Sequence, residues 1–177
     1  MKFFQTYILN ILEYDFINKF NYKNISEIPN IEKIILCFEY KNPNYRNILN
    51  SLLALELISK TKGSILTLRK SNVSLRLRSG SPVGCKVVLR NSKMLDFIAN
   101  LSLFLIPKDK YFKDSFTVKS SDQNLSFDFK SLFLFNELNN DYNVLRDLSN
   151  LSIVMITKSK NYQEFLFLLK SLKIKIS

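Results

Sequence analysis

The stretch that decides the fold of this chain runs from residue 69 to residue 86 and reads RKSNVSLRLRSGSPVGCK. Polar and apolar residues alternate from Val73 to Arg78, which predicts a strand with Arg76 and Arg78 on one face. Gly80 and Pro82 then predict a turn. The apolar runs at 64–68 and 85–90 predict the two strands of a hairpin with a long tip.

Positive charge is concentrated around this hairpin. Residues 57–95 contain no Asp or Glu, and all glycines of the chain lie among them. The cations of this window are Lys60, Lys62, Arg69, Lys70, Arg76, Arg78, Lys86, Arg90 and Lys93. A cationic loop without internal counter-charges needs anions from elsewhere, and this pattern favours a polyphosphate backbone as their source.

The composition is typical of a folded basic domain. The 177 residues carry a net charge of +11 with a pI near 9.6, and 46% of them are hydrophobic. The sequence shows no linker, repeat or low-complexity segment, so we expect a single domain over residues 1–177. Excess Lys and Arg favours nucleic acid first and an anionic membrane surface second, although solubility alone also explains a high pI.

The chemistry available to the chain is narrow. It contains no His, which is the usual proton shuttle near neutral pH and a common metal ligand. Cys37 and Cys85 lie far apart, lack a third ligand and have apolar neighbours, so we expect buried free thiols and no zinc site. We therefore expect no catalytic residue, no metal and no cofactor, and the chain is not predicted to be an enzyme.

Hydrophobic periodicity predicts helices and strands in mixed order. Helices are predicted at 3–20, at 45–59 with Asn44 as cap, from Asn91 or Ser92 to a stop at Pro107, and at 162–171. Strands are predicted at 31–40, 125–129 and 151–157, and residues 108–124 are expected to form a surface loop. The pattern predicts an α+β fold: a mostly antiparallel sheet covered by helices, with a long basic hairpin loop and one face left for a ligand.

The chain gives no sign of a membrane or targeting segment. Asn10 and Glu13 interrupt the first apolar run and the first Arg is Arg46, which favours an amphipathic helix over a signal peptide or presequence. The apolar run at 94–106 contains Asp96 and Asn100 and is too short to span a bilayer, so no membrane is expected. Frequent Lys, Asn, Ile and Phe, with scarce Ala, Gly, Pro and Trp, indicate an A/T-rich genome, and an organelle is a good candidate.

Two blocks of the sequence resemble a known family. The longer block contains Arg69-Lys70-Ser71, Arg78, Gly80, Pro82-Val83-Gly84-Cys85-Lys86-Val87 and Leu89-Arg90. The shorter block contains Phe20-Asn21-Tyr22, Ile28-Pro29 and Ile31-Glu32-Lys33-Ile34. In order and spacing, both are similar to the large-subunit ribosomal protein five family of bacterial and organellar type. Weaker similarity covers nearly the whole chain.

The resemblance implies a structural, non-enzymatic role in translation, as a ribosomal protein of a mitochondrial large subunit. It implies binding to 5S rRNA and large-subunit rRNA in the central protuberance, beside neighbouring ribosomal proteins, and contact of loop 70–83 with transfer RNA in the peptidyl site (P-site tRNA). The residues expected to bind rRNA are Asn21, Tyr22, Lys23, Lys33, Lys60, Lys62, Arg69, Lys70, Lys86 and Arg90. The residues expected in the tRNA-contacting loop are Ser71, Asn72, Ser74, Arg76, Arg78, Ser79, Gly80, Ser81 and Pro82. The expected location is the mitochondrial matrix, with the chain encoded by the organelle.

Three residues depart from the family pattern. Cys37, Thr61 and Val88 stand where the family typically has polar side chains that contact 5S rRNA. Neither a thiol nor an isopropyl group makes a hydrogen bond comparable to that of an amide or hydroxyl. The resemblance therefore implies either a divergent 5S rRNA or binding through phosphate contacts.

Plainer explanations remain open for some of these residues. Arg76 and Arg78 would also suit a solvated strand face, and Phe20 and Tyr22 would also suit packing onto the first helix. Gly80 and Gly84 would also suit a simple turn. The alternative function is that of a non-ribosomal, basic RNA-binding protein or ribosome-assembly factor with the same fold.

Overall fold

The computed structural model describes residues 6–41, 44–74, 76–105, 116–119, 124–129, 132–145 and 148–174. The chain divides into two compact units. The first unit contains Met1–Ile34, Arg90–Phe127 and Val154–Ser177. The second unit contains Ile35–Leu89 and Asp128–Ile153.

The strands of the described residues form one sheet. They are β1 (Asn30–Glu39), β2 (Ser64–Thr67), β3 (Pro82–Leu89), β4 (Phe116–Lys119), β5 (Asn124–Phe129) and β6 (Leu151–Lys158). Their order across the sheet is β2-β3-β1-β6-β5-β4, and β2 pairs antiparallel with β3, as β4 does with β5. The predicted α+β fold with a mostly antiparallel sheet is confirmed.

The α-helices of the described residues are α1 (Glu13–Lys19), α2 (Tyr45–Ser59), α3 (Asn91–Asn100), α4 (Tyr142–Leu145) and α5 (Tyr162–Ser171). One π-helical turn, Ile8–Leu12, leads into α1, and another, Leu101–Leu105, follows α3. The bounds predicted for α2 and α5 are confirmed. None of the helices in the described ranges has the length and apolar character that a membrane span needs.

The predicted caps of two helices meet different outcomes. Asn44 occupies the N-cap of α2 as predicted, with an extended backbone, although its side chain makes no capping hydrogen bond. The prediction of Asn91 or Ser92 as the cap of α3 is wrong, because Arg90 holds the N-cap and Asn91 is already helical. Arg90 takes this position because β3 ends at Leu89 and leaves a single extended residue before the helix.

The surface loop predicted at 108–124 is wrong where the structure describes it. Residues 116–119 form β4, which pairs Phe116 with Phe127 and Val118 with Leu125. The apolar residues of this short segment alternate with polar ones and find apolar partners on β5, which favours a strand over a loop. The predicted stop at Pro107, and the start of the first helix before residue 6, lie outside the described residues.

One face of each long strand packs into the core, and the other is half exposed. In β1, Ile34, Leu36 and Phe38 are fully buried, whereas the residues between them are only half buried. The same alternation runs along β6, from buried Leu151 to buried Thr157. Within the second unit α2 packs against β3. Strands with this pattern are covered by helices on one side and leave the other side for contacts.

Candidate nucleic-acid interface

The hairpin of β2 and β3 positions the cationic loop. Its register pairs Ser64 with Lys86 and Leu66 with Gly84, and it shifts between Leu66 and Thr67. Beyond the strands, Leu68 N donates to Ser81 O at 3.0 Å and Gly80 N donates to Leu68 O at 2.8 Å. The predicted hairpin with a long tip is therefore confirmed.

Gly84 lets β3 approach β1 closely at the base of this hairpin. A Cβ at this position would overlap the carbonyl oxygen of Phe38 and would lie 3.2 Å from the Phe38 carbonyl carbon. Beside it, Tyr40 N donates to Val83 O at 3.0 Å. The backbone contact therefore requires a residue without a side chain.

The tip does not continue as the strand predicted for residues 73–78, and that prediction is wrong. Asn72 and Leu77 form an isolated bridge with N–H···O distances of 2.9 and 3.0 Å, and Arg76 N donates to Val73 O at 3.1 Å. Arg76 has a φ of +52°, and this left-handed conformation breaks the two-residue alternation. Arg76 and Arg78 consequently do not share one face of a strand.

A second turn links this small loop to β3. Ser81 N donates to Arg78 O at 3.2 Å, and Ser81 Oγ donates to the same carbonyl at 2.7 Å. Gly80 has a φ of +84°, and a Cβ there would meet no atom within 4 Å. The glycine is thus favoured by its backbone conformation, and the space beside it is open to the close approach of a ligand backbone.

The cations of the tip are exposed and lack carboxylate partners. Arg69, Lys70, Arg76 and Arg78 are all exposed, and none of them takes part in an ion pair with another described residue. A guanidinium group can fork onto two phosphate oxygens, whereas an ammonium acts as a point charge. The tip can therefore contact several phosphates at once.

Other predicted rRNA-binding cations of the second unit lie around the base of the hairpin. Lys60 ends α2 in a left-handed conformation, and Lys62 follows just before β2. Lys86 is exposed on β3, where it pairs in register with Ser64. The structure therefore brings Lys60, Lys62 and Lys86 to the two strands that carry the tip.

The residues that depart from the family pattern have partners inside the protein or are apolar. Cys37 Sγ donates to Ser152 O at 3.6 Å, and Thr61 Oγ1 donates to Ser59 Oγ at 2.9 Å. Burial, followed by the charges of Glu39 and Asp128, raises the pKa of Cys37 to about 11, so this half-buried thiol is neutral at pH 7. Val88 is 42% exposed. These side chains offer RNA little hydrogen bonding.

The two thiols differ in their surroundings. Both are free, and Cys85 is buried as predicted, with its Sγ donating to Ile48 O at 3.3 Å, whereas Cys37 is only half buried. Burial raises the pKa of Cys85, so this thiol is also neutral. Among the described residues no group of His, Cys, Asp and Glu side chains could hold a metal ion.

A second group of predicted residues lies in the first unit, directly after α1. Asn21 and Lys23 are exposed, whereas Tyr22 is half buried with its ring centroid 6.3 Å from that of Phe20. The Phe20 ring in turn packs edge-on against Phe167 of α5, with centroids 5.9 Å apart. Aromatic packing thus fixes the segment that presents Asn21 and Lys23 to solvent.

The hydroxyl of Tyr22 is shielded although its ring is half exposed. It has no hydrogen-bond partner among the described residues, and neither has Oε2 of the buried Glu164. Glu164 Oε1 accepts from Asn161 Nδ2 at 3.2 Å. Burial, followed by the charge of Glu164, raises the pKa of Tyr22 to about 12. Tyr22 is therefore a neutral, partly packed aromatic residue.

Glu27 holds the backbone of this segment. Its Oε2 accepts from Lys23 N at 3.2 Å, and its Oε1 pairs with Lys160 Nζ at 2.7 Å. The hydrogen bond from Lys160, followed by that from Lys23, lowers the pKa of Glu27. Nearby in sequence, Lys33 pairs with Glu32 at 3.6 Å, and Arg90 is exposed at the start of α3.

Sequence reasoning did not single out Glu27, Lys160 or Glu164. Glu27 and Lys160 are separated by 133 positions, so no local motif indicates their contact. Glu164 lies in the first turn of α5, where a carboxylate is ordinary. The predicted residues therefore fall into two groups, one in each compact unit, and the structure adds the side chains that support the first.

The fold and these exposed cations define a basic α+β protein of the nucleic-acid-binding class. The family model for the C-terminus of the ribosomal uL5 family matches residues 82–176. Large ribosomal subunit protein uL5m of Reclinomonas americana is 32% identical over 170 residues, which cover 94% of this chain and 93% of that protein. Large ribosomal subunit protein uL5 of Wigglesworthia glossinidia brevipalpis is 35% identical over 158 residues, 87% of each chain. The chain belongs to the ribosomal uL5 family, and the resemblance seen in the sequence is confirmed.

Proposed function

We propose that this chain is a structural constituent of the large ribosomal subunit and binds 5S rRNA and large-subunit rRNA in the central protuberance. Membership of the ribosomal uL5 family supports the ribosomal role. The observation that carries the RNA contact is the exposed tip, whose cations lack ion pairs with other described residues. We also propose that residues 1–177 act as one domain, because the strands belong to one sheet.

Binding to rRNA rests on phosphate contacts from both groups of cations. Cys37 and Thr61 already bond to groups of the protein, and Val88 has no polar atom in its side chain. The rRNA-binding residues are Asn21, Tyr22, Lys23, Lys33, Lys60, Lys62, Arg69, Lys70, Lys86 and Arg90. Phosphate contacts position a protein on RNA without requiring particular bases, so they tolerate a divergent 5S rRNA.

The tip contacts P-site tRNA through its sugars and phosphates. Residues 71–82 are mostly small and polar or basic, and no aromatic residue lies between Arg69 and Arg90. Loops that recognise RNA sequence stack bases on aromatic rings or Arg planes, whereas small polar residues accept any sequence. A loop of this chemistry suits a site through which successive tRNAs pass.

The ribosome in question is that of the mitochondrion. The A/T-rich codon composition and the similarity to a mitochondrial-type relative, uL5m, support this location. We further propose that the chain is encoded by the organelle. Sequencing of the organellar genome beside the nuclear genome tests this point, and a nuclear gene would contradict it.

Excision of residues 72–77 tests the role of the tip. Asn72 and Leu77 bridge each other, so their removal leaves the pairing of Leu68 with Ser81 and both strands in place. The shortened protein should remain in large subunits through a high-salt wash, while these subunits retain less P-site tRNA. Arg46→Gln, which removes an exposed charge of α2 outside the site, is the control and should change neither property.

Two other outcomes would redirect the proposal. Loss of the shortened protein from the subunit would make the tip an assembly anchor on rRNA. Release of the intact chain from mature large subunits in high salt would instead favour the alternative, an assembly factor with the same fold, because transient factors do not copurify through such a wash.

A further inference from the structure

The first helix carries an exposed apolar surface that none of the proposed RNA contacts uses. Ile11, Tyr14 and Ile17 are 49%, 66% and 47% exposed, and Ile25 beyond the helix is 82% exposed. The first three recur every third residue, so they form one stripe, while Leu12 and Phe16 are buried. We call these four exposed residues the first-helix patch.

A groove of about 240 Å³ opens at one edge of this patch. Ile25 forms part of its wall, together with Leu12, Phe16, Met94, Leu168 and Leu172. The volume is smaller than the roughly 300–1,000 Å³ of typical small-molecule sites. The groove therefore suits one or two side chains of a partner protein, inserted as an anchor.

The charge beside the patch is opposite to that of the chain as a whole. Residues 3–18 include Glu13 and Asp15 and no Lys or Arg, although the net charge of the protein is +11. Glu13 itself lines the groove. The nearest cation in sequence, Lys19, places its Nζ 4.0 Å from the ring centroid of Phe167. Carboxylates at this position repel an RNA backbone and attract Lys or Arg.

We propose that the first-helix patch docks a basic segment of a neighbouring protein of the large subunit. One apolar side chain of that segment fills the groove, and Lys or Arg residues beside it face Glu13 and Asp15. That the neighbour is a ribosomal protein rests on the proposed function. The chemistry of the contact, an apolar anchor flanked by cations, rests on the patch alone.

Site-specific photo-crosslinking within large subunits tests this surface. The full chain carries p-benzoylphenylalanine in place of Ile25 or, in a parallel preparation, of Val73, which is 89% exposed at the tip. The adduct at position 25 should be sensitive to protease and resistant to ribonuclease. Its mapped peptide should contain an apolar residue adjacent to Lys or Arg.

Each other outcome at position 25 overturns the proposal: an RNA adduct, a peptide without cations, or no adduct in subunits that contain the chain. Position 73 reports on the proposed function independently, because the tip should give RNA adducts. Failure of the unlabelled chain to enter large subunits contradicts the proposed function. An adduct with RNA at both positions contradicts only the docking surface.

A matched pair of substitutions measures the apolar contact. Ile17 and Val144 are exposed to nearly the same extent, 47% and 46%. Ile17→Ser should lower the crosslink yield at position 25 about tenfold, since truncation of an interface anchor commonly has an effect of that size. Val144→Ser should leave it unchanged, and urea unfolding shows that both variants fold. An unchanged yield with Ile17→Ser overturns the proposal.

Discussion

Alanine at position 84 should destabilise the protein strongly. The added Cβ would overlap the Phe38 carbonyl oxygen and would lie 3.3 Å from Cα of Glu39. These are backbone atoms of β1, so rotation of a side chain cannot relieve the overlap and the two strands must separate. Overpacking typically costs about 1–3 kcal/mol. We expect about 3 kcal/mol here, which is a large fraction of the roughly 5–15 kcal/mol by which domains are stable.

Gly80→Ala is the matched control for Gly84→Ala. Gly80 has a φ of +84° and open space around it, so alanine there costs only the left-handed conformation, about 1–2 kcal/mol. Urea unfolding of the full chain, followed by circular dichroism, measures both variants at equal slope. If Gly84→Ala is no less stable than Gly80→Ala, the close approach of β3 to β1 is wrong.

Three other expectations concern pH and order. Because the pKa of Tyr22 is raised from 10.0 to about 12, stability should fall as pH rises through this window; Tyr22→Phe should abolish that loss without destabilising the neutral protein, as urea titrations on either side of pH 10 would reveal. The lowered pKa of Glu27 provides stability that is present above pH 4.5 and lost as pH falls below it, so Glu27→Gln should flatten the acid dependence of thermal unfolding; an unchanged dependence would exclude a contribution from the pair with Lys160. Hydrogen exchange of the free protein should be fast at 70–83 and slow in β3, because the bonds of the tip are local; strong protection of the tip would argue against ordering by RNA.

Most elements could be predicted because their apolar pattern is continuous. The stripes of α2 and α5 begin and end at the predicted residues, and β6 alternates along its whole length. The tip was mispredicted because the alternation at 73–78 has no partner strand. Without a neighbour to complete the ladder, the local bonds of Asn72 with Leu77 and of Val73 with Arg76 prevail.

The candidate site was predictable where it depends on charge and unpredictable where it depends on distant contacts. The cations of the tip were found because their window lacks acids, which is a property of the sequence itself. The shielding of the Tyr22 hydroxyl near Glu164 and the pair of Glu27 with Lys160 join the region after α1 to that around α5. Such contacts arise from tertiary packing, for which a single sequence has no periodic signal.

The salt dependence of affinity for 5S rRNA tests the central claim most directly. Each neutralised phosphate should add about 0.7–0.9 to the slope of log affinity against log salt. Arg69→Gln and Lys86→Gln should each reduce that slope, whereas Arg46→Gln, an exposed charge of α2, should leave it unchanged. An affinity that is nearly independent of salt, or equal slopes for all three variants and the parent, would contradict binding through the cationic hairpin.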